Sequence, residues 1–167
     1  DVDVGEEIEF QLDLMDMYGA EATLTFTHVV KATDIQYALE DVEVFDDSNM
    51  DGVVSPGEEA YLKVSVKNLG GTKAEWVYGT LTANHPDVLV YSGDSLQFGT
   101  LNADGTPTCG TFSGTPGNCN QNGYNYPYFN VGYDVEVDEE IEFQLDLKDM
   151  YGTEGTLTFT HVVKATN

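Results

Sequence analysis

The sequence contains no arginine and only six lysines, against 30 aspartates and glutamates, which gives a formal net charge of −24. A surface of this sign repels phosphate backbones and anionic lipids, so we expect neither nucleic acid nor a membrane surface as a partner. The same surface attracts divalent cations and keeps an extended array soluble. Adaptation to high salt is an alternative explanation of this composition.

Long apolar runs, helical periodicity and a recognisable catalytic arrangement are also missing. No run of 18 apolar residues occurs, so the sequence predicts no membrane-spanning helix. No serine or cysteine comes with a convincing base, and the patterns around His28, His85 and His161 favour structural roles. We therefore expect a protein that is not an enzyme.

Cysteine is scarce, with nine residues between Cys109 and Cys119 in a stretch rich in Gly, Thr, Pro and Asn. This spacing fits no zinc pair, and no histidine is near in sequence. We expect a disulfide that closes a surface loop, with two free thiols as the alternative. A disulfide indicates an oxidising, extracellular or cell-surface location.

What the chain does contain is a long internal repeat. Residues 134–167 repeat residues 1–34 at an offset of 133, with 28 of 34 positions identical and no gap. The six differing pairs are Asp3/Glu136, Gly5/Asp138, Met15/Lys148, Ala20/Thr153, Ala22/Gly155 and Asp34/Asn167. Repetition at a fixed period is typical of a tandem array. We interpret residues 1–34 as the C-terminal hairpin of a preceding unit and residues 35–167 as one complete unit.

Apolar and polar residues alternate with the period of a β-strand in many segments. Ile141–Leu147 and Thr156–Val163 flank a turn that ends in Gly152, which predicts a half-buried antiparallel hairpin, and Ile8–Leu14 and Thr23–Val30 repeat it. Further strands are predicted at Ile35–Phe45, Ala60–Val66, Glu75–Thr82, Val88–Tyr91, Ser95–Phe98 and Tyr126–Val131. Short strands separated by Gly, Pro, Asn and Asp predict an immunoglobulin-like antiparallel β-sandwich, here repeated with period 133.

The segment Asp47–Glu58 matches the calcium-loop pattern D-x-[DN]-x-[DN]-G-x5-E at every specified position. Calcium is a hard cation that takes oxygen ligands, and alternate positions around a tight turn supply them. The predicted ligands are Asp47, Asn49, Asp51, Val53 through its carbonyl, Ser55 and Glu58. An acidic turn without metal is the alternative. Because strands flank the loop, we expect it between the first two strands of the sandwich and not in an EF-hand.

The segment from Asn49 to Ala74 (NMDGVVSPGEEAYLKVSVKNLGGTKA) resembles the opening of the Ig-like, CARDB-type repeats of secreted and surface proteins of bacteria and archaea. The matching residues are Asp51, Gly52, Pro56, Gly57, Glu58, Asn68 and Gly70. The resemblance covers Asp47–Val163, apart from the insertion around the cysteines. It implies a sandwich fold and says little about function.

These observations lead us to predict a structural unit of an extracellular filament, stalk or giant adhesin, which calcium rigidifies and which joins end to end with further units like itself. The alternative is a carbohydrate- or surface-binding adhesin module. In that case the aromatic run Tyr124, Tyr126, Tyr128 and Phe129, with the insertion Asn102–Tyr124, would hold a glycan or a host surface. The same run is equally consistent with alternate residues that fill the core. An accessory domain of a secreted peptidase is a third option.

Overall fold

The computed structural model describes residues 6–29, 34–45, 53–120 and 123–165. The strands within these residues are β1 (Glu7–Met15), β2 (Glu21–Val29), β3 (Tyr37–Phe45), β4 (Glu59–Asn68), β5 (Ala74–Ala83), β6 (Val88–Tyr91), β7 (Leu96–Leu101), β8 (Thr108–Cys109), β9 (Tyr128–Val131), β10 (Glu140–Lys148) and β11 (Glu154–Val162). One short 3-10 helix covers Gly123–Asn125. None of the described residues belongs to a helix that could cross a membrane.

The strands from β3 onward form two antiparallel sheets, so the predicted all-β antiparallel sandwich is confirmed. One sheet has the order β11-β10-β5-β7, and the other has the order β3-β4-β9-β6 with β8 added against β4. These orders correspond to the G-F-C and A-B-E-D sheets of an immunoglobulin sandwich. The difference is β7, which lies beside β5 although it follows β6 in the chain.

The core fills the space between the two sheets because alternate residues of each strand point inward. In β10 every second residue is buried, from Ile141 to Leu147, and each neighbour is exposed. Phe98, Phe129 and Phe143 are fully buried in this core. Burial of one such side chain contributes about 1.5–3 kcal/mol, so the sandwich gains most of its stability here.

The predicted disulfide between Cys109 and Cys119 is confirmed, with 5.0 Å between the two Cα atoms. It holds the insertion against both sheets. Thr108 and Cys109 pair with Val66 and Ser65 of β4. On the other side, Gln97 N of β7 donates to Thr111 O at 2.7 Å, and Gly117 N donates to Gln97 O at 3.3 Å. The insertion therefore lies along the outer edge of β7.

A buried asparagine attaches the segment before β3 to the sandwich. Asn68 Oδ1 accepts hydrogen bonds from Gln36 N at 3.1 Å and from Gly70 N at 2.9 Å. Leu69 N donates to Gln36 O at 2.8 Å. A Cβ atom at Gly70 would overlap the carbonyl oxygen of Asp34, so only glycine fits there. The chain is thus fixed to the unit from Asp34 onward.

Candidate functional site

The two copies of the repeat adopt the same hairpin over the described residues. The register from Glu7↔Val29 to Met15↔Glu21 recurs, 133 residues later, from Glu140↔Val162 to Lys148↔Glu154. We call β1–β2 the first hairpin and β10–β11 the second hairpin. The register is therefore the same in both copies.

Side-chain details of the two hairpins agree as well. Phe10 stacks on Phe26 with ring centroids 5.2 Å apart, and Phe143 stacks on Phe159 at 5.3 Å. In the second hairpin, Asp149 Oδ1 accepts hydrogen bonds from two backbone N–H groups of the turn, and Asp16 does the same in the first. These side-chain acceptors replace backbone partners in a tight turn.

A carboxylate on each outer face is held ionised by its neighbours. Hydrogen bonds from Thr23 and then Gln11 hold the pKa of Asp13 below its usual value. Thr156 and Gln144 lower the pKa of Asp146 in the same way. The outer face of both hairpins is therefore an acidic, hydrogen-bonded surface.

The inner faces of the two hairpins differ completely in their surroundings. In the second hairpin Ile141, Phe143, Leu145 and Leu147 are at most 2% exposed. In the first hairpin the corresponding apolar side chains and their partners remain open to solvent, namely Phe10 (43%), Leu12 (47%), Leu14 (46%), Leu24 (53%) and Phe26 (55%). Within the described part of the chain, the ladder of the first hairpin joins only its own two strands. The apolar face of this hairpin is thus buried in the second copy and exposed to solvent in the first.

Residues 35–133, which we call the body, provide the cover for the second hairpin. β10 pairs with β5 from Phe143↔Ala83 to Lys148↔Tyr78. Phe143 meets Phe129 edge to face, with 5.2 Å between ring centroids. The second hairpin is therefore an integral part of the sandwich.

Three of the six differences between the copies lie at contacts of the second hairpin. Lys148 Nζ donates to Glu154 at 2.7 Å, where the first copy has Met15. Lys164 Nζ donates to Asp138 at 2.8 Å, where the first copy has Gly5.

The third difference concerns space. A Cβ atom at Gly155 would lie 2.5 Å from Cδ2 of Tyr37, and the first copy has Ala22 at this position. Such an approach requires the Tyr37 ring to move. The first hairpin is therefore not matched to the body that follows it.

The predicted calcium loop lies between β3 and β4, as expected. Asp47, Asn49 and Asp51 are outside the described residues. Val53, Ser55 and Glu58 are described, and Ser55 N donates to Glu58 Oε2 at 2.9 Å. Ser55 is 2% exposed, and its hydroxyl oxygen has no hydrogen-bond partner among the described residues.

A buried hydroxyl without a partner is costly, and a cation ligated by Ser55 would satisfy it. Among the described residues no three His, Cys, Asp or Glu side chains come together as a metal site. The oxygen chemistry of Asp47–Glu58 fits calcium, and Ser55 is the structural observation that favours it.

The aromatic run divides between core and surface. Tyr126 and Phe129 are buried, at 1% and 0% exposure, so they belong to the interior and not to a contact patch. Tyr124 is 70% exposed. Tyr128 stacks on Tyr91, with ring centroids 4.8 Å apart. Any contact surface here consists of Tyr124 and Tyr128 with their tyrosine neighbours.

His161 and His85 make packing or hydrogen-bond contacts within the sandwich. His161 faces Phe129 with ring centroids 6.0 Å apart, and burial lowers its pKa. His85 Nδ1 accepts from Asp87 N, and its Nε2 lies 3.1 Å from Glu139. These contacts fasten a loop to the start of β10.

Sequence reasoning missed one exposed pair, Trp76 and Tyr78, on the outer face of β5. Trp76 has a φ of 51°, and the pairing of β5 with β7 is irregular on both sides of Val77. The alternation of Val77, Gly79 and Leu81 already placed both aromatic side chains on the opposite face. The sequence signal that marks them is the alternation within Glu75–Thr82.

The comparisons with known proteins identify no family. No protein-family model matches the chain, and no curated protein is significantly similar to it.

Proposed function

We propose that the chain is a segment of a tandem array of β-sandwich units with a structural role in an extracellular filament, stalk or giant adhesin. Residues 1–34 complete the sandwich of the preceding unit, and residues 35–167 form the next. The observation that carries this proposal is the pair of hairpins with the same register, of which one is packed on a body and the other has an open apolar face.

The energetics favour a cover for the first hairpin. An isolated two-stranded hairpin is marginal in water. Full burial of one large apolar side chain stabilises by about 1.5–3 kcal/mol, so covering five half-exposed side chains gains roughly 5 kcal/mol. The second hairpin supports a body of the same kind as this cover, because the same face there rests on the body.

The joint between units is short. In the second hairpin Lys164 N donates to Val54 O at 2.9 Å, which fixes the chain just after β11. The corresponding residue of the first copy is Lys31, which lies outside the described residues. Lys31 and Asp34 are three positions apart with two residues between them, so their Cα atoms lie at most about 10 Å apart. Consecutive sandwiches would therefore touch, which favours a stiff line of units.

The Ala22/Gly155 difference favours a covalent array over hairpin exchange between identical chains. In an exchange, Ala22 would meet Tyr37 of the neighbour where Gly155 now lies. A preceding unit with a smaller or displaced residue at that position accepts Ala22 without conflict.

Calcium at Asp47–Glu58 is part of the proposal. It would stiffen the loop between β3 and β4 and neutralise part of the acidic charge. The buried Ser55 hydroxyl and the spacing of the carboxylates support it. The disulfide and the CARDB-type resemblance support an extracellular setting.

Amide hydrogen exchange in an extended chain tests the array. A second copy of residues 35–133 is placed before residue 1, and Ala22→Gly gives the first hairpin the residue that fits beside Tyr37. We expect residues 7–29 to exchange fast in the present chain and slowly in the extended one, since packed strands open rarely.

Two variants of the extended chain provide the control. Phe10→Asp should abolish the new protection because it places a charge on the buried face, whereas Met17→Asp at the exposed tip should leave it intact. Equal, fast exchange of residues 7–29 in both chains would refute the array. Electron micrographs of native material that show solitary particles would do the same.

A further inference from the structure

The outer face of the sheet β11-β10-β5-β7 carries a groove of about 680 Å³. We call it the outer groove. Outward-facing residues of all four strands line it, with Trp76 and Tyr78 of β5 at the centre and Gln97 of β7 and Asp146 of β10 on either side. Pro116, from the disulfide-closed insertion, forms part of the wall. Its volume lies within the range of small-molecule binding sites.

The aromatic side chains are presented to solvent by an unusual backbone. Trp76 is 64% exposed and Tyr78 is 47% exposed. The φ of 51° at Trp76 is rare for a residue with a large side chain, and β-bulges often re-aim a side chain next to a binding site. Strained residues of this kind cluster at ligand sites.

Within the described part of the chain, the Trp76 ring in the outer groove is free of ring contacts, whereas Tyr128 of the tyrosine run is packed against other tyrosines. Tyr61 and Tyr128 lie with ring centroids 5.7 Å apart, and Tyr91 covers one face of Tyr128 at 4.8 Å. Trp76 has no aromatic partner among the described residues. An open indole face is a platform for a flat apolar surface of a ligand.

The polar lining selects the kind of ligand. Gln97 offers both a donor and an acceptor, Asp146 offers acceptors, and Lys148 is engaged with Glu154 at 2.7 Å. Asp94, Asp146 and Glu154 outnumber Lys148, so an anionic ligand is repelled. A ligand that combines apolar C–H faces with neutral hydroxyl groups matches both features.

We infer that the outer groove binds a short, neutral oligosaccharide, with one sugar ring stacked on Trp76 and Tyr78 and its hydroxyl groups bonded to Gln97 and Asp146. This site is distinct from the tyrosine run, and it does not depend on the array. A glycan held on one side of each sandwich would give the protein a binding function in addition to a structural one.

Trp76 is the only tryptophan of the chain, so its fluorescence reports on the outer groove alone. The test titrates the intact, disulfide-bonded chain with neutral oligomers of glucose, galactose, mannose and N-acetylglucosamine. We expect a saturable change of the emission with at least one of them. Tyr78→Ala should weaken that binding by about tenfold, and Tyr78→Phe should preserve it.

Tyr124→Ala, which removes an exposed tyrosine ring outside the outer groove, is the matched control and should bind normally. Calorimetry with Trp76→Ala should show no binding. The inference is overturned if no neutral oligosaccharide changes the emission, or if Tyr124→Ala weakens binding as much as Tyr78→Ala. An emission change that depends on protein concentration without sugar would assign the outer groove to self-association and also overturn it. None of these three results would affect the hydrogen-exchange test of the array.

Discussion

At the Ala22/Gly155 position the two copies of the hairpin differ by one methyl group. Gly155 lies against the ring of Tyr37, whose hydroxyl donates to Thr153 O at 3.4 Å. Burial, with a smaller contribution from Asp149, raises the pKa of Tyr37 to about 12. The hydrogen bond and the partial burial of Tyr37 both oppose displacement of its ring by a larger neighbour.

We predict that Gly155→Ala destabilises the folded chain by about 1–3 kcal/mol, the usual cost of overpacking. Thr153→Ala is the matched control, because it also introduces the residue of the first copy. It leaves the backbone contacts of Thr153 in place, so its effect on stability should be close to zero. Urea denaturation at neutral pH measures both variants. Equal stability of Gly155→Ala and the parent chain would show that Tyr37 does not discriminate between the hairpins.

His161 makes stability depend on pH. Burial against Phe129 lowers its pKa below 6.5, so the folded state disfavours the charged imidazolium. The stabilising contribution is complete above pH 6.5 and is lost as pH falls through the lower pKa of the folded state. The NMR titration of His161 should give that lower pKa. In His161→Gln, unfolding free energies at pH 7 and pH 5.5 should differ less than in the parent chain, and an unchanged difference would contradict this assignment.

At the scale of elements, the sequence predicts most strands well because apolar and polar residues alternate along them. In β3 the alternation of apolar residues shifts by one position between Leu39 and Val42. This shift has a physical cause, since the pairing of β3 with β4 is irregular between Leu39 and Asp41. Strand β8 was not predicted, because Thr108–Cys109 has no alternation of its own and exists only through its pairing with β4. A two-residue strand depends on tertiary contacts that no local pattern records.

The sequence predicted only those candidate sites whose residues lie close together along the chain. The acidic loop and the disulfide each lie within about a dozen residues, so spacing alone pointed to them. The outer groove joins four strands that are distant in sequence, and it depends on which strands are neighbours. That order, with β7 beside β5 after β6, cannot be read from periodicity.

The loop between β3 and β4 should bind calcium with a measurable effect on stability. Calcium at 100 times its Kd stabilises by about 2.7 kcal/mol, so a chelator should lower the Tm by several degrees. Glu58→Gln should be insensitive to the chelator. Calorimetry that detects no calcium uptake, together with an unchanged Tm, would exclude the site.

The whole molecule carries a charge of −24, and this repulsion opposes the compact state. Sodium chloride screens the repulsion, so raising it from low to physiological concentration should increase stability by about 1 kcal/mol, or 2–4 °C in Tm. Thermal unfolding in Glu58→Gln separates this general effect from calcium binding, because the variant should still respond to sodium. If sodium had no effect on the Tm but calcium raised it, the stabilisation would come from calcium binding at the loop. General screening of the negative charge, as expected for high-salt adaptation, would then be excluded.

The insertion bonded to Gln97 has a consequence for how fibres would lie next to one another. An unpaired edge strand can form hydrogen bonds with the edge strand of a neighbouring molecule and so extend the sheet. Here the loop closed by Cys109 and Cys119 already occupies hydrogen-bonding groups of β7. Parallel fibres built from such units would slide past each other along this side and not fuse into bundles.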